Sequence, residues 1–262
     1  MALIFDSHAH YDEEAFDADR DALVSSMPAH GVGWILNSAS DLSSSLRAKA
    51  LAERFPFLYA SAGVHPHEAK TLTDEALTQI EALTRHNKVV ALGEIGLDYF
   101  YDRSPREVQR AAFERQLALA RDLGLPVIIH SRDAHADTLE IVKRFRPKGV
   151  VHCFSGSAEL AREYIRLGMY LGFTGAVTFR NARRPLEAAR AVPLDRLLIE
   201  TDCPYMAPEP FRGKRCDSTM LPRTVGTLAG VKGIEADTLI RETAKNAFAV
   251  YGIPLPMAKG AF

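Results

Sequence analysis

Residues 5 to 12 read "FDSHAHYD", two histidines one residue apart directly after a short apolar run. In a strand, side chains at i and i+2 share a face, whereas on a helix they point to nearly opposite sides. At the end of "LIFD" (3 to 6), His8 and His10 therefore converge on one point while Ala9 faces away. A two-histidine cluster of this kind suits zinc or another divalent transition metal. Four more residues of ligating type stand at the ends of other apolar runs. Glu94 follows "VVALG" (89 to 93), His130 closes "PVIIH" (126 to 130), His152 lies in "GVVHC" (149 to 153), and Asp202 stands two residues beyond the end of "RLLIE" (196 to 200). Singly, each has another reading: Glu94 or Asp202 as a helix or turn cap, His152 as a hydrogen-bonded core histidine, His130 as the start of a polar loop. What favours a joint role is the architecture that must position them.

Short β-branched or apolar runs alternate with longer amphipathic segments almost from end to end. "GWILNS" (33 to 38), "FLYASAG" (57 to 63) and "MYLGF" (169 to 173) bring the strand candidates to eight. Between Arg106 and Gly124, Val108, Ala112, Phe113 and Leu117 recur at helical intervals, and Gly124 and Pro126 end that helix where a strand must begin. Eight strands, each followed by a helix, read as a closed (β/α)8 TIM barrel, an α/β fold, more readily than as an open doubly wound sheet. A barrel gathers the C-terminal ends of its strands at one mouth, where active sites of this architecture sit. Four histidines and two carboxylates there exceed what one tetrahedral ion with an open position needs, so the sequence predicts two ions. Such ions lie about 3.5 to 4 Å apart, a span that a carboxylate can bridge, and Glu94 is the expected bridge.

Composition sets the remaining bounds. The 262 residues contain no low-complexity tract or Gly/Ser linker, so one domain over 1–262 is expected. With 47% hydrophobic and 25% charged residues and no apolar stretch of the roughly 18 residues a span requires, no membrane partner is expected. The start "MALIFDSHAHYD" lacks a secretory signal's basic, then apolar, pattern and favours the cytoplasm. Cys153, Cys203 and Cys216 read as reduced thiols, and Cys153, next to His152, is expected to face away from it on the strand. A formal charge of −1 means that any nucleic-acid contact must come from a local cluster. The longest loop, "CPYMAPEPFRGKRCDSTML" (203 to 221), offers Arg212, Lys214 and Arg215 as phosphate contacts. Arg132, just beyond His130 with Asp133, is a further expected substrate contact at the mouth, Arg180, Arg183 and Arg184 add charge after the seventh strand, and Tyr99, Phe100 and Tyr101 could stack bases or simply pack.

In order along nearly the whole chain, "DSHAH", "GVHPH", "GEIGLDY", "VIIHSRDA", "VHCFSG" and "ETDCPY" resemble the motifs of the TatD family of metal-dependent deoxyribonucleases, within the amidohydrolase-like superfamily. The resemblance implies a (β/α)8 barrel with two divalent cations that hydrolyses phosphodiester bonds from the 3′ end of DNA. By motif, it assigns His8, His10, Glu94 and Asp202 to one ion and Glu94, His130 and His152 to the other. It also favours a functional His65, in "GVHPHE", contacting phosphate or protonating the leaving oxygen. One departure stands out: many family members follow "RGK" with an Asn-Glu-Pro-like turn, whereas this loop continues through Cys216, Asp217 and Ser218.

The expected function is thus a divalent-metal-dependent hydrolase, a 3′→5′ deoxyribonuclease using Zn, Mn or Mg, with DNA and also RNA as candidate substrates and no obligate protein partner. Asp202 is also expected to accept the water's proton. Two alternatives share the ligand set: an amidohydrolase or ester hydrolase such as a deacylase of aminoacyl-tRNA, and a catalytically silent metal-binding protein.

Overall fold

The computed structural model describes residues 2–255. Its eight strands are β1 (Ile4–Ala9), β2 (Val32–Asn37), β3 (Leu58–Ala62), β4 (Val89–Asp98), β5 (Val127–Arg132), β6 (Gly149–Val151), β7 (Tyr170–Phe173) and β8 (Leu197–Ile199). They lie side by side in chain order, every registered pair parallel. The helices are α1 (Arg20–Ser26), α2 (Leu42–Arg54), α3 (Asp74–Thr84), α4 (Arg106–Leu123), α5 (His135–Phe145), α6 (Ala158–Arg166), α7 (Arg183–Ala191), α8 (Leu221–Lys232) and α9 (Ala236–Tyr251). This is the expected (β/α)8 barrel, with one helix more than the strands require. Among the described residues no helix is long and apolar enough to cross a membrane.

The alternation of side chains divides the apolar residues between two cores. Ile4, Ile35, Leu58, Leu92, Ile129, Val151 and Ile199 pack in the cluster shared with the helices. Phe5, Leu36, Ala91, Ile128, Val150 and Leu198 form a second cluster with Ala244, Phe248 and Tyr251 of α9. Ile128, Val150 and Leu198 stand two positions before His130, His152 and Glu200, so they share the inward face with those polar residues. The barrel interior is therefore apolar at its N-terminal end, where α9 plugs it, and polar at its C-terminal mouth. Phe248 meets Phe5 edge-on, with ring centroids 5.3 Å apart, and the Tyr251 hydroxyl donates to the Ser7 carbonyl at 3.0 Å.

Between β1 and β8 the barrel is joined at the mouth: the Asp202 amide donates to the His8 carbonyl at 2.9 Å, and the His10 amide to the Cys203 carbonyl at 2.8 Å. Asp202 takes a φ of 60°, left-handed backbone that Asp tolerates better than most residues.

Strand boundaries differ from the sequence expectation where the polar residues sit. β1 runs through His8, and β4 continues past Gly93 through Glu94 to Asp98. Pairing register shifts between Asp6 and Ala9 and between Leu92 and Ile95, the kind of irregularity that re-aims side chains beside active sites. Gly96 allows the continuation of β4, since with a φ of 141° its added Cβ would lie 2.0 Å from the His130 carbonyl oxygen. β6 stops at Val151, leaving His152 and Cys153 beyond the strand. With a φ of 44°, Cys153 escapes strand alternation and lines a cavity together with His152 instead of facing away from it.

Candidate metal centre

The six expected ligand residues meet at the mouth, in two groups divided by one carboxylate. Glu94 Oε2 lies 3.3 Å from His8 Nε2 and 3.5 Å from His10 Nε2. The same two nitrogens are 3.0 Å apart and lie 3.5 and 3.3 Å from Asp202 Oδ1. Glu94 Oε1 points the other way, 2.8 Å from His130 Nδ1 and 2.6 Å from His152 Nε2, with those nitrogens 3.2 Å from each other. His65 Nε2 stands 3.5 Å from the same Oε1. Four donors placed tetrahedrally at about 2.0–2.1 Å from an ion are spaced roughly 3.3–3.4 Å apart, so the separations suit a divalent cation. Triads His8/His10/Glu94, His8/His152/Asp202 and His65/Glu94/His130 each bring their donor atoms within 4.8 Å of one another.

A surrounding shell sets which nitrogen faces the centre. His10 Nδ1 lies 2.8 Å from the Ser38 carbonyl, which can only accept, so that nitrogen carries the proton and Nε2 presents its lone pair. His130 Nε2 lies 3.1 Å from Asp98 Oδ2 and turns Nδ1 inward in the same way. His8 Nδ1 and His152 Nδ1 are buried without a hydrogen-bond partner among the described residues, the latter 3.9 Å from Glu200 Oε1.

Asp98 is a member of this shell that the sequence reading quoted, in "GEIGLDY", without giving it a role. Besides His130 it accepts from His67 Nε2 at 2.9 Å and from the Phe100 and Tyr101 amides at 3.0 and 2.8 Å. Burial opposes its charge, but the donors from His130, His67 and Tyr101 hold the carboxyl well below its usual range. Asp98→Asn removes that charge and sets an NH2 against His67 Nε2 and His130 Nε2, the two donors that Oδ2 now accepts from. It is expected to weaken cation binding about 10–100-fold, read by metal titration, with an unchanged circular dichroism spectrum. An affinity equal to wild type would show that Asp98 serves only the 98–101 turn.

The electrostatics of the cation-free cluster follow from burial set against mutual attraction. Burial, helped by the charge of His152, pulls His8 down to about 4, and burial likewise pulls His65 down to about 4. For His10 burial is outweighed by Asp202 and Glu94, which carry it up to about 10, and for His130 by Asp98 and Glu94, which carry it to about 9. Burial also opposes ionisation of Glu94, yet His152, His65 and His130 hold its carboxyl well below the usual range. Burial raises Glu200 to about 8, while burial and the nearby carboxylates push the Cys153 thiol well up. A raised thiol is neither a ready nucleophile nor a ready ligand.

Two cavities meet over the cluster. The larger, about 420 Å³, is lined by Glu13, Tyr101, Arg103 and Tyr205 in addition to the site histidines and carboxylates. The smaller, about 260 Å³, extends past Cys153, Phe154, Thr174, Val177 and Pro185. Arg132 lies on both, its guanidinium 4.1 Å from the Phe100 ring centre and 4.7 Å from that of Tyr101. Arg212, Lys214 and Arg215 are not among the residues lining either one. Arg212 lies over Phe179 and Lys214 over Phe211, while Arg215 makes a two-pronged pair with Asp19 at 2.8 and 2.6 Å. Arg103 and Tyr205 went unnoticed in the sequence, although Arg103 stands only two residues after the aromatic trio.

The departing loop residues have structural partners. Ser218 is buried, donates to Asp6 Oδ2 at 2.6 Å and lies 2.7 Å from the Tyr11 hydroxyl, and Asp217 caps the short turn Ser218–Met220. They fasten the loop to β1, below the cavities.

A barrel whose mouth gathers imidazoles and carboxylates around one two-faced glutamate defines the class of metal-dependent hydrolases. Within it, this chain belongs to the TatD related DNase family, whose sequence profile matches residues 5–252. It is 41% identical over 254 residues to an uncharacterized metal-dependent hydrolase, YabD of Bacillus subtilis (strain 168), covering 96% of this chain and 100% of that one. It is 38% identical to the 3′-5′ ssDNA/RNA exonuclease TatD of Cronobacter sakazakii, covering 93% and 96%. The crystal structure of YJJV, a TatD homologue from Escherichia coli K12, superposes with a TM-score of 0.90 at 35% identity, covering 96% of this chain and 98% of that one.

Proposed function

We propose that this hydrolase removes nucleotides from the 3′ ends of single-stranded DNA, and of RNA, with two divalent cations. His8, His10, Glu94 and Asp202 would hold one, and Glu94, His130 and His152 the other. The carrying observation is the orientation of Glu94, whose two oxygens address separate donor groups at the floor of a cavity that also presents Arg103 and Arg132. The exonuclease name of the Cronobacter relative supports the choice of substrate.

When bound, such cations bring a water toward ionisation near neutral pH and offset charge on phosphoryl oxygens. The chain's own groups supply the rest. Asp202 directs Oδ1 at His8 and His10, which leaves Oδ2 to receive the proton of the attacking water. The His67 amide donates to His65 Nδ1 at 3.2 Å, so the neutral ring carries its proton on Nε2, aimed into the cavity as a donor to a phosphoryl or leaving oxygen. Arg132, braced on two aromatic rings, can meet a phosphate without desolvating a flexible stem. Unpaired Cys153, Cys203 and Cys216 fit a reducing compartment such as the cytoplasm.

The test is metal-stripped protein on end-labelled single strands, with Mg, Mn or Zn restored separately. Stepwise shortening from the 3′ end that depends on the added cation is expected. Two bound ions with DNA and RNA left intact would sink the nuclease reading and turn attention to ester or amide substrates.

A further inference from the structure

Helix α4 carries two fully buried glutamines, Gln109 and Gln116, seven residues apart and so close to two turns along one face. The other buried residues of the helix, Ala112, Phe113, Leu117 and Ala120, are apolar. Each amide grips the main chain of a different segment at the mouth. Gln116 accepts from the Val64 amide at 2.7 Å and donates to the Val64 carbonyl at 3.0 Å. Gln109 accepts from the Asp98 amide at 2.8 Å and donates to the Asp98 and Ser104 carbonyls at 3.1 and 2.8 Å. Contacts of this kind, made to both the N–H and the C=O of the main chain, are what a neighbouring strand ordinarily supplies.

The strands explain the need. Registered pairing between β3 and β4 ends at Ala62 and Leu92, whereas β4 runs on to Asp98 and the chain after β3 continues through Val64 to His65. Past that point the backbone groups of buried Val64 and Asp98 find their partners on α4 instead. His67 links the two segments. Its Nε2 donates to Asp98 Oδ2 at 2.9 Å, its amide donates to His65 Nδ1 at 3.2 Å, and its carbonyl accepts from Ser104 Oγ at 2.9 Å. Hydrogen bonds thus close a circuit from α4 through Val64 and His65 to His67, and through Asp98 and Ser104 back to α4.

We propose that Gln116 and Gln109 are positioning residues for the reaction, Gln116 fixing the height of His65 over the centre, and Gln109 fixing Asp98 and through it the inward-facing nitrogen of His130. The Gln116 half rests on the exonuclease reading above, the Gln109 half on cation binding alone. An apolar contact lets a loop slide over a helix, whereas a two-pronged amide holds it to one distance and one direction. Both amides spend that directionality within one residue of a group at the site: Val64 precedes His65, and Asp98 itself accepts from His130 Nε2 at 3.1 Å.

Double-mutant cycles on the full chain separate positioning from mere support. Gln116→Met, of similar length, should lower kcat for strand shortening about 10–100-fold, the scale of a small misplacement, with KM and cation affinity within about twofold of wild type. In a His65→Ala background the same substitution should change kcat less than about twofold, because the group it positions is gone. Gln109→Met should weaken cation binding about tenfold by metal titration, and add less than about twofold to Asp98→Asn. Should either methionine variant fail to fold, asparagine, which keeps the amide but draws it back by one methylene, goes through the same cycle. Equal losses in both backgrounds, or a lowered Tm with kcat and cation affinity unchanged, would make the glutamines structural supports and overturn the proposal. Linear strands left intact with every cation would remove the exonuclease reading and the Gln116 half with it, while the Gln109 and Asp98 cycle, read by titration, would still decide the other half.

Discussion

Glu94→Gln should reduce single-strand shortening on the order of 10³-fold, the scale on which removal of one preorganised charge-stabilising group is felt. The substitution keeps the volume of the side chain but leaves one oxygen and an NH2 where two anionic oxygens faced separate donor groups. Oε2, near His8 and His10, and Oε1, near His130 and His152, cannot both be replaced by an amide. Cation stoichiometry should fall with turnover, by elemental analysis after dialysis, so the loss is traced to the centre and not to strand binding. Near-normal turnover with a full complement of cations would show that Glu94 is not the bridge.

Stripping the cations should lower Tm by about 8–16 °C. A ligand at roughly 1,000 times its Kd stabilises by about 4 kcal/mol, and about 1 kcal/mol moves Tm by roughly 2–4 °C in a chain of this size. The physical source is local. Four imidazoles and two carboxylates crowd within 3.5 Å contacts beneath the mouth, with His8 Nδ1 and His152 Nδ1 lacking partners among the described residues. Calorimetry with and without chelator measures the effect. Melting within about 2 °C in both conditions would mean that the cluster holds no tightly bound cation, since the same linkage ties affinity to stability.

How much of this was legible depended on how local each signal is. His130 announces its direction because it stands within β5, two residues after the apolar inward neighbour Ile128, and strand alternation carries the inference; His152 lies one residue past β6 and still meets Glu94 Oε1 at 2.6 Å. His8 and His10 were paired by the same alternation, their Nε2 atoms 3.0 Å apart, whereas Glu94 falls at a register irregularity and its place came from the barrel mouth as a whole. Asp98 stayed hidden because its role depends on partners 31 and 32 residues away and on β4 running past Glu94. The basic loop misdirects in the opposite sense: Arg215 looks available in sequence, but its partner Asp19 lies 196 residues earlier. Cys153 shows the limit of a strand-based argument, since the strand had ended at Val151. The plug formed by α9 has no motif at all, only an apolar face whose target is the far end of the barrel.

The joint between β1 and β8 has a bearing on when the protein becomes active. His8 and His10 stand at the end of the first strand, yet they are held in place by Asp202 and Cys203 beyond the last, and α9 must then close the opposite end. Chains emerge N-terminus first, so the centre cannot assemble until nearly the whole barrel has been made. A nascent or truncated chain would carry half of the ligands with nothing to bring them together. Synthesis thus acts as a safety catch: a hydrolase of this kind stays inert toward its surroundings until its last strand is in hand.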